Sequence, residues 1–167
     1  MKAERKYLAT FLDAAFDTTY AGANYVRLGK DLEEFNDELN PDVETVKNIL
    51  GENAVKHNGY EVSADADPFY YDYDDALSEK VMEIAMNRLT GDACRTSKVD
   101  VLLKPGADGA APEVAGAWRE DVLLIPNSVG GDTSGVQTPF TIHAAGNRVK
   151  GTFDMSTKKF TPSENGL

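Results

Sequence analysis

The sequence is poor in the residues that most site chemistry uses. It has one cysteine, Cys94, and two histidines, His57 and His143, among 167 residues. A single cysteine excludes an internal disulfide and a cysteine-only zinc site. The two histidines stand in no HExxH and at no paired spacing, so a histidine-rich metal site is excluded as well. Long apolar runs are also missing. The longest uninterrupted one is Val122-Leu123-Leu124-Ile125, whereas a membrane-spanning helix needs roughly 20 residues. Glu4 sits among Lys2, Arg5 and Lys6, and Asp13 interrupts the apolar stretch that follows. No secretion signal is expected from that pattern, and a soluble protein of the cytoplasm is the default. Basic charge is scarce: Lys and Arg number 17 against 28 Asp and Glu, a net charge of -11. A tight nucleic-acid binder needs a basic face, and this balance argues against one.

The negative charge is uneven. Residues 1–60 carry 11 acids and 7 bases, residues 61–92 carry 9 and 2, and residues 93–167 carry 8 of each. Two runs dominate. Asp31, Glu33, Glu34, Asp37, Glu38, Asp42 and Glu44 occur without an intervening base, as do Asp65, Asp67, Asp72, Asp74 and Asp75. Such runs read as solvated faces, or as a surface that repels a polyanion or binds a cation. The second run is not a calcium loop of the Asp-x-Asp-x-Asp-Gly kind, because Pro68, Phe69, Tyr70 and Tyr71 interrupt it.

One helix is expected over residues 75–89. Leu77, Val81, Ile84, Ala85 and Leu89 share one face, Asp74 or Asp75 is placed to cap the start, and Gly91 is the expected C-cap. After it the texture is that of strands: residues 99–103, 118–125, 139–145, 148–153 and 158–161. Gly146-Asn147 and Asn58-Gly59 both read as tight hairpin turns, since each tolerates positive φ. Residues 105–116, rich in Gly, Ala and Pro, read as a loose connection. Leu28, Leu32, Phe35 and Leu39 recur at helical spacing up to Pro41. Without a repeat or an internal linker, the expected class is mainly β (α+β), one domain with one packed helix.

Catalytic patterns are absent. Residues 127–136 are glycine-rich but lack the Lys-Ser/Thr ending of a phosphate loop and contain no GxSxG. His143 reads as a strand histidine, and Cys94 as a structural cysteine without a nucleophile signature around it. No enzyme, cofactor or metal is expected.

Three stretches, in order, resemble the tail tube proteins (major tail proteins) of phages and prophages of Gram-positive bacteria. The first runs from Tyr25-Val-Arg-Leu-Gly-Lys through Asn40-Pro-Asp-Val-Glu-Thr-Val-Lys-Asn-Ile-Leu-Gly-Glu52. The second is Asp67-Pro-Phe-Tyr-Tyr71 with the helix ending Asn87-Arg-Leu-Thr-Gly-Asp92. The third is Gly130-Gly-Asp-Thr-Ser-Gly135, Pro139-Phe-Thr-Ile-His143, Gly146-Asn-Arg-Val-Lys-Gly-Thr-Phe153 and Lys159-Phe-Thr-Pro162. The resemblance implies a β-sandwich or barrel-like pair of sheets flanked by one helix. It implies hexameric rings that stack into a tube, through which DNA passes without specific binding. The partners implied are other copies of the chain, tail tip or baseplate and terminator proteins, and a tape measure protein or sheath, in a virion assembled in the bacterial cytoplasm.

On this resemblance, residues 1–23 are an N-terminal arm and 24–167 a single domain with a long loop at 40–58. Residues 28–39 become a strand rather than a helix. Asp31, Glu33, Glu34, Asp37 and Glu38 are the lumen candidates, with one parity facing the channel. Asn40, Pro41, Val43, Glu44, Lys47, Ile49 and Leu50 are the ring-stacking candidates, with residues 105–116 as a second choice. The alternatives are another virion component, such as a connector or decoration protein, or a carbohydrate-binding β-sandwich using Tyr70 and Tyr71.

Overall fold

The computed structural model describes residues 1–17 and 19–163. Residue 18 of the expected arm and the last four residues of the expected domain lie outside the described residues. In chain order the strands are β1 (Leu8–Asp13), β2 (Tyr25–Leu28), β3 (Pro41–Lys47), β4 (Asn53–Tyr60) and β5 (Ser63–Ala66). Helix α1 (Ala76–Asn87) precedes β6 (Arg95–Lys104), β7 (Glu113–Pro126), β8 (Gly130–Asp132), β9 (Gly135–Gln137), β10 (Phe140–Asp154) and β11 (Lys159–Pro162). The expected class holds: antiparallel strands dominate and α1 is the α-helix among the described residues.

Seven strands form the main sheet, in the order β11-β10-β7-β6-β1-β2, with β5 also paired to β10. Both faces are covered, and the period-2 alternation of strands sorts the side chains between them. Ala9, Phe11, Tyr25, Val99, Val101, Ala117, Phe153 and Phe160 pack on one face. Leu12, Ala66, Phe69, Val122, Leu124, Phe140 and Ile142 pack on the other, beneath Leu77 and Val81 of α1. Asp75 caps that helix, its carboxylate accepting the Leu77 N–H at 3.0 Å. The helix ends earlier than the sequence suggests, at Arg88 in the left-handed region (φ 51) rather than at Gly91.

The N-terminal arm is not an arm over its ordered core. Strand β1 lies inside the main sheet between β2 and β6, with Phe11 and Leu12 fully buried on opposite faces. A strand buried on both sides reads as a continuous apolar run, so period-2 alternation could not reveal it. Residues 29–39 are neither helix nor strand. Phe35 and Leu32 pack against the core from an irregular segment, and only Glu38 forms a bridge, to Ser63. Gly146-Asn147 is not a turn either: β10 runs straight through, and these positive-φ residues lie where its register against β7 shifts. A bulge and a hairpin require the same backbone freedom, which is why sequence confused them. The connection before β7 is shorter than expected, because that strand already begins at Glu113.

Candidate functional site

The expected loop at 40–58 is an ordered β-hairpin, and it is the most unusual surface of the molecule. Among the described residues, strands β3 and β4 pair only with each other, from Pro41↔Tyr60 to Lys47↔Asn53. The Asn58-Gly59 step lies near the hairpin's base, beside a register shift at Asp42/Val43, and the turn itself is at residues 48–52. Asn48 builds that turn. Its side-chain oxygen accepts the N–H groups of Leu50 (2.9 Å) and Glu52 (3.0 Å), and Gly51 supplies the positive φ of 80. An asparagine that bonds its own backbone two residues on is a standard way to tighten a turn. The outcome here is that Ile49 and Leu50 point outward, Ile49 fully exposed and Leu50 at 77%.

The base of the hairpin is anchored. Asn40 donates through Nδ2 to the Glu61 carbonyl at 2.9 Å, and Glu38 and Ser63 exchange backbone hydrogen bonds of 2.7 and 3.0 Å. Strand β5 continues from there into the main sheet along β10. Everything beyond the base is solvated: all seven residues of β3 are exposed, and all of β4 except the half-buried Gly59. Val43, Val46, Val55 and Tyr60 are exposed with them. A lone two-stranded hairpin is marginal in water, and full burial of each such side chain is worth about 1.5–3 kcal/mol. Six expected stacking residues, Pro41, Val43, Glu44, Lys47, Ile49 and Leu50, lie on this projection, and Asn40 fixes its root.

The acidic candidates fare differently. Asp31, Glu33, Glu34 and Glu38 are exposed along the irregular segment. Without a strand there, the expected parity rule does not apply. Asp37 turns inward. Its carboxylate lies 2.7 Å from Lys98 Nζ, and Lys98, on β6, is 1% exposed. Asp100 (3.2 Å) and Glu120 (3.3 Å) also reach Lys98, and Arg148 approaches both of those carboxylates, at 3.3 and 2.8 Å. Burial would lower the Lys98 pKa, but Asp100, Asp37 and Glu120 together outweigh it and hold the ammonium above its ordinary value. Burial, reinforced by the Asp100 charge, pushes Asp37 above the usual carboxylate value despite the pull of Lys98. Sequence patterning missed this cluster; the one signal was the polar alternation of Lys98 and Asp100 within an apolar strand.

A second surface lies beside α1. An apolar groove is lined by Leu28, Leu32, Tyr70, Tyr71 and Tyr73, with Asp31, Asp72, Asp74 and Asp75 around it. Its floor is fixed by hydrogen bonds. Tyr71 N–H donates to the Val136 carbonyl at 2.9 Å, Asp72 accepts the Asp74 N–H at 2.9 Å, and Tyr71 meets Tyr73 edge-on at 5.1 Å. The Asp74 N–H and the Lys30 ammonium hold Asp72 below its ordinary pKa. Tyr70 and Tyr71 are half-buried rather than displayed as an open platform; Tyr73, at 82% exposure, is the displayed ring.

His57 is exposed and packs edge-on against Tyr60 on the hairpin, and His143 is exposed on β10. Cys94 is buried, and burial raises its pKa. Among the described residues no three His, Cys, Asp or Glu side chains are placed to hold a metal ion, and no helix is long and apolar enough to cross a membrane.

No family model and no curated protein matches the chain. Among solved structures, the chain is similar in fold to the sheath/tube terminator of the PVC extracellular contractile injection system in its extended state. The TM-score is 0.53 at 7% identity, over 91% of this chain and 98% of that one. At that identity the likeness is one of fold.

Proposed function

We propose that this chain is a structural subunit of a phage-tail-type assembly that closes into hexameric rings with other copies and stacks into the tail tube. The observation that carries this reading is the solvated β3–β4 hairpin, a projection hydrogen-bonded at its root, with an exposed apolar tip. Its position falls in the first of the three stretches that resemble tail tube proteins. The fold likeness to a tube terminator supports the same class of assembly. The subunit has no catalytic role in this reading, and takes no cofactor. Its partners are other copies, the tail tip or baseplate, a terminator, and a tape measure protein or sheath.

The charge distribution suits a conduit. Carboxylates along a channel repel phosphate, whereas lysines there would gain affinity by releasing counterions and slow the passage of DNA. One pair of like charges several Å apart in water contributes only about 1 kcal/mol, so the effect depends on many carboxylates per ring. Asp31, Glu33, Glu34 and Glu38 are the exposed group available for that wall.

A second reading has its own observation: the matched structure is a terminator, and nearly its whole length is covered. A terminator, by its name, ends a tube rather than forming it. Light-scattering chromatography with negative-stain electron microscopy across concentration separates the two. Hollow tubes support the tube subunit, and single rings that cap tubes support the terminator. A monomer that does not polymerise even on added tail-tip complex overturns the tube reading.

A further inference from the structure

We infer that Asn58-Gly59 is a self-modification site, where the Gly59 backbone nitrogen displaces the Asn58 side-chain amide as ammonia and leaves an isoaspartyl link at the root of the β3–β4 hairpin. Three observations meet there. First, Asp42 pairs with Gly59 and Val43 with His57, so Asn58 is an extra residue without a partner on β3. Such a bulge bends the strand out of the extended geometry that would hold the side chain away from the next nitrogen. Second, Gly59 has a φ of 129, and the space a Cβ would fill is empty. No side chain obstructs attack by its nitrogen. Third, Asn58 is exposed, and among the described residues no hydrogen bond holds its amide. The amides of Asn40, Asn127 and Asn147, by contrast, donate to the Glu61 carbonyl, Thr141 and Asp121 at 2.8–2.9 Å.

The step needs only water. The Gly59 nitrogen gives its proton to solvent and bonds to Asn58 Cγ. The Cγ–Nδ2 bond breaks, and Nδ2 takes up a proton and leaves as ammonia. The product is a five-membered imide, and nothing is oxidised or reduced. Holding nucleophile and carbonyl on adjacent residues makes the attack intramolecular, which is what lets an unactivated amide react. Water then opens the ring at either of its two carbonyls. One opening leaves an aspartate at position 58; the other routes the main chain through Cβ and Cγ and leaves an isoaspartyl link. Both products add a carboxylate close in the chain to Glu61 and across the ladder from Asp42. Only the isoaspartyl link inserts an extra main-chain atom. That atom falls between the hairpin ladder and the hydrogen bonds of its root, the Glu61 N–H to the Asn40 carbonyl (3.4 Å) and the Asn40 amide to the Glu61 carbonyl (2.9 Å). The isoaspartyl form therefore unpins the projection from β5 while the main sheet is untouched.

The test ages the purified full chain at mildly alkaline pH and follows digested samples by mass spectrometry, with fragmentation that distinguishes isoaspartate from aspartate. Reading each peptide separately keeps position 58 apart from Asn165-Gly166, a second Asn-Gly pair that lies outside the described residues. Asn53 and Asn87 are the internal controls: both are exposed, but Ala54 and Arg88 follow them. Conversion at Asn58 should run at least about tenfold faster than at either control, with isoaspartate among the products. Backbone hydrogen exchange of fresh and aged protein supplies the second arm. The Glu61 and Ser63 amides, which bond the root, should exchange faster after ageing. Asn58→Asp, which adds the charge without the extra atom, should leave them as in fresh protein. Conversion at Asn58 no faster than at Asn53 and Asn87 overturns the site. Fast conversion with root amides unchanged overturns the unpinning and leaves the modification standing.

Discussion

Lys98 Nζ lies 2.7 Å from Asp37 Oδ1 and ties the irregular acidic segment 29–39 to the middle of the main sheet. Two cations, Lys98 and Arg148, face three carboxylates there: Asp37, Asp100 and Glu120. The cluster therefore holds one negative charge in excess, and its two ends respond differently to substitution.

Removing Lys98 leaves buried carboxylates without their main counter-charge. Lys98→Met should destabilise the fold by about 3–5 kcal/mol, since breaking a buried ion cluster on one side strands the other. Urea unfolding of the two proteins measures it. Asp37→Asn removes the surplus charge instead and should be close to neutral.

The pH dependence follows from the raised Asp37 pKa. The folded state binds this proton more tightly than the unfolded state does. The Asp37 contribution to stability therefore rises as pH falls through the raised folded value, and levels off below the unfolded value. The Lys98 contribution has its window at the other end. It is fully present below the ordinary lysine value of 10.5 and is lost as pH rises through the higher folded one. The difference in urea midpoint between wild type and Asp37→Asn should therefore shift in favour of wild type as the solution is acidified toward the carboxylate range. A difference that moves the other way would contradict the placement of Asp37.

Ile49→Asp with Leu50→Asp should separate folding from assembly. Both side chains are exposed, so the thermal midpoint should hardly move; exposed substitutions usually stay within about 0.5 kcal/mol. Sedimentation should nevertheless show that rings and tubes are lost.

Glu33→Lys with Glu34→Lys tests the channel wall. Assembled tubes carrying both should retain short duplex DNA at low salt and release it as salt rises, the signature of counterion release. Wild-type tubes should retain none.

How much of this was legible in the sequence depended on how many faces an element buries. Helix α1 buries one face, so Leu77, Val81 and Ile84 announced it. Strand β1 buries two, and its uniform burial looked like an apolar arm. Leu28, Leu32 and Phe35 repeat at helical spacing although Leu28 packs on the core from the end of β2 and the other two from the irregular segment after it; spacing alone carries no information about the backbone between. The stacking residues were placed on one projection by resemblance and by turn residues, although Asn48, rather than Asn58-Gly59, makes the turn. The Lys98 cluster joins residues 61 positions apart in sequence, and the groove joins two acidic runs. Such pairings are tertiary, and no local pattern encodes them.

Hydrogen exchange at the backbone of residues 41–60, measured in the free subunit and in the assembled particle, reads whether the hairpin is an assembly surface. Exchange across the hairpin tip should be fast in the free chain and strongly slowed on assembly, a change larger than in the already buried strands β6 and β7. Equal exchange at the tip in the two states would show that no copy covers it and that the hairpin is not an assembly surface.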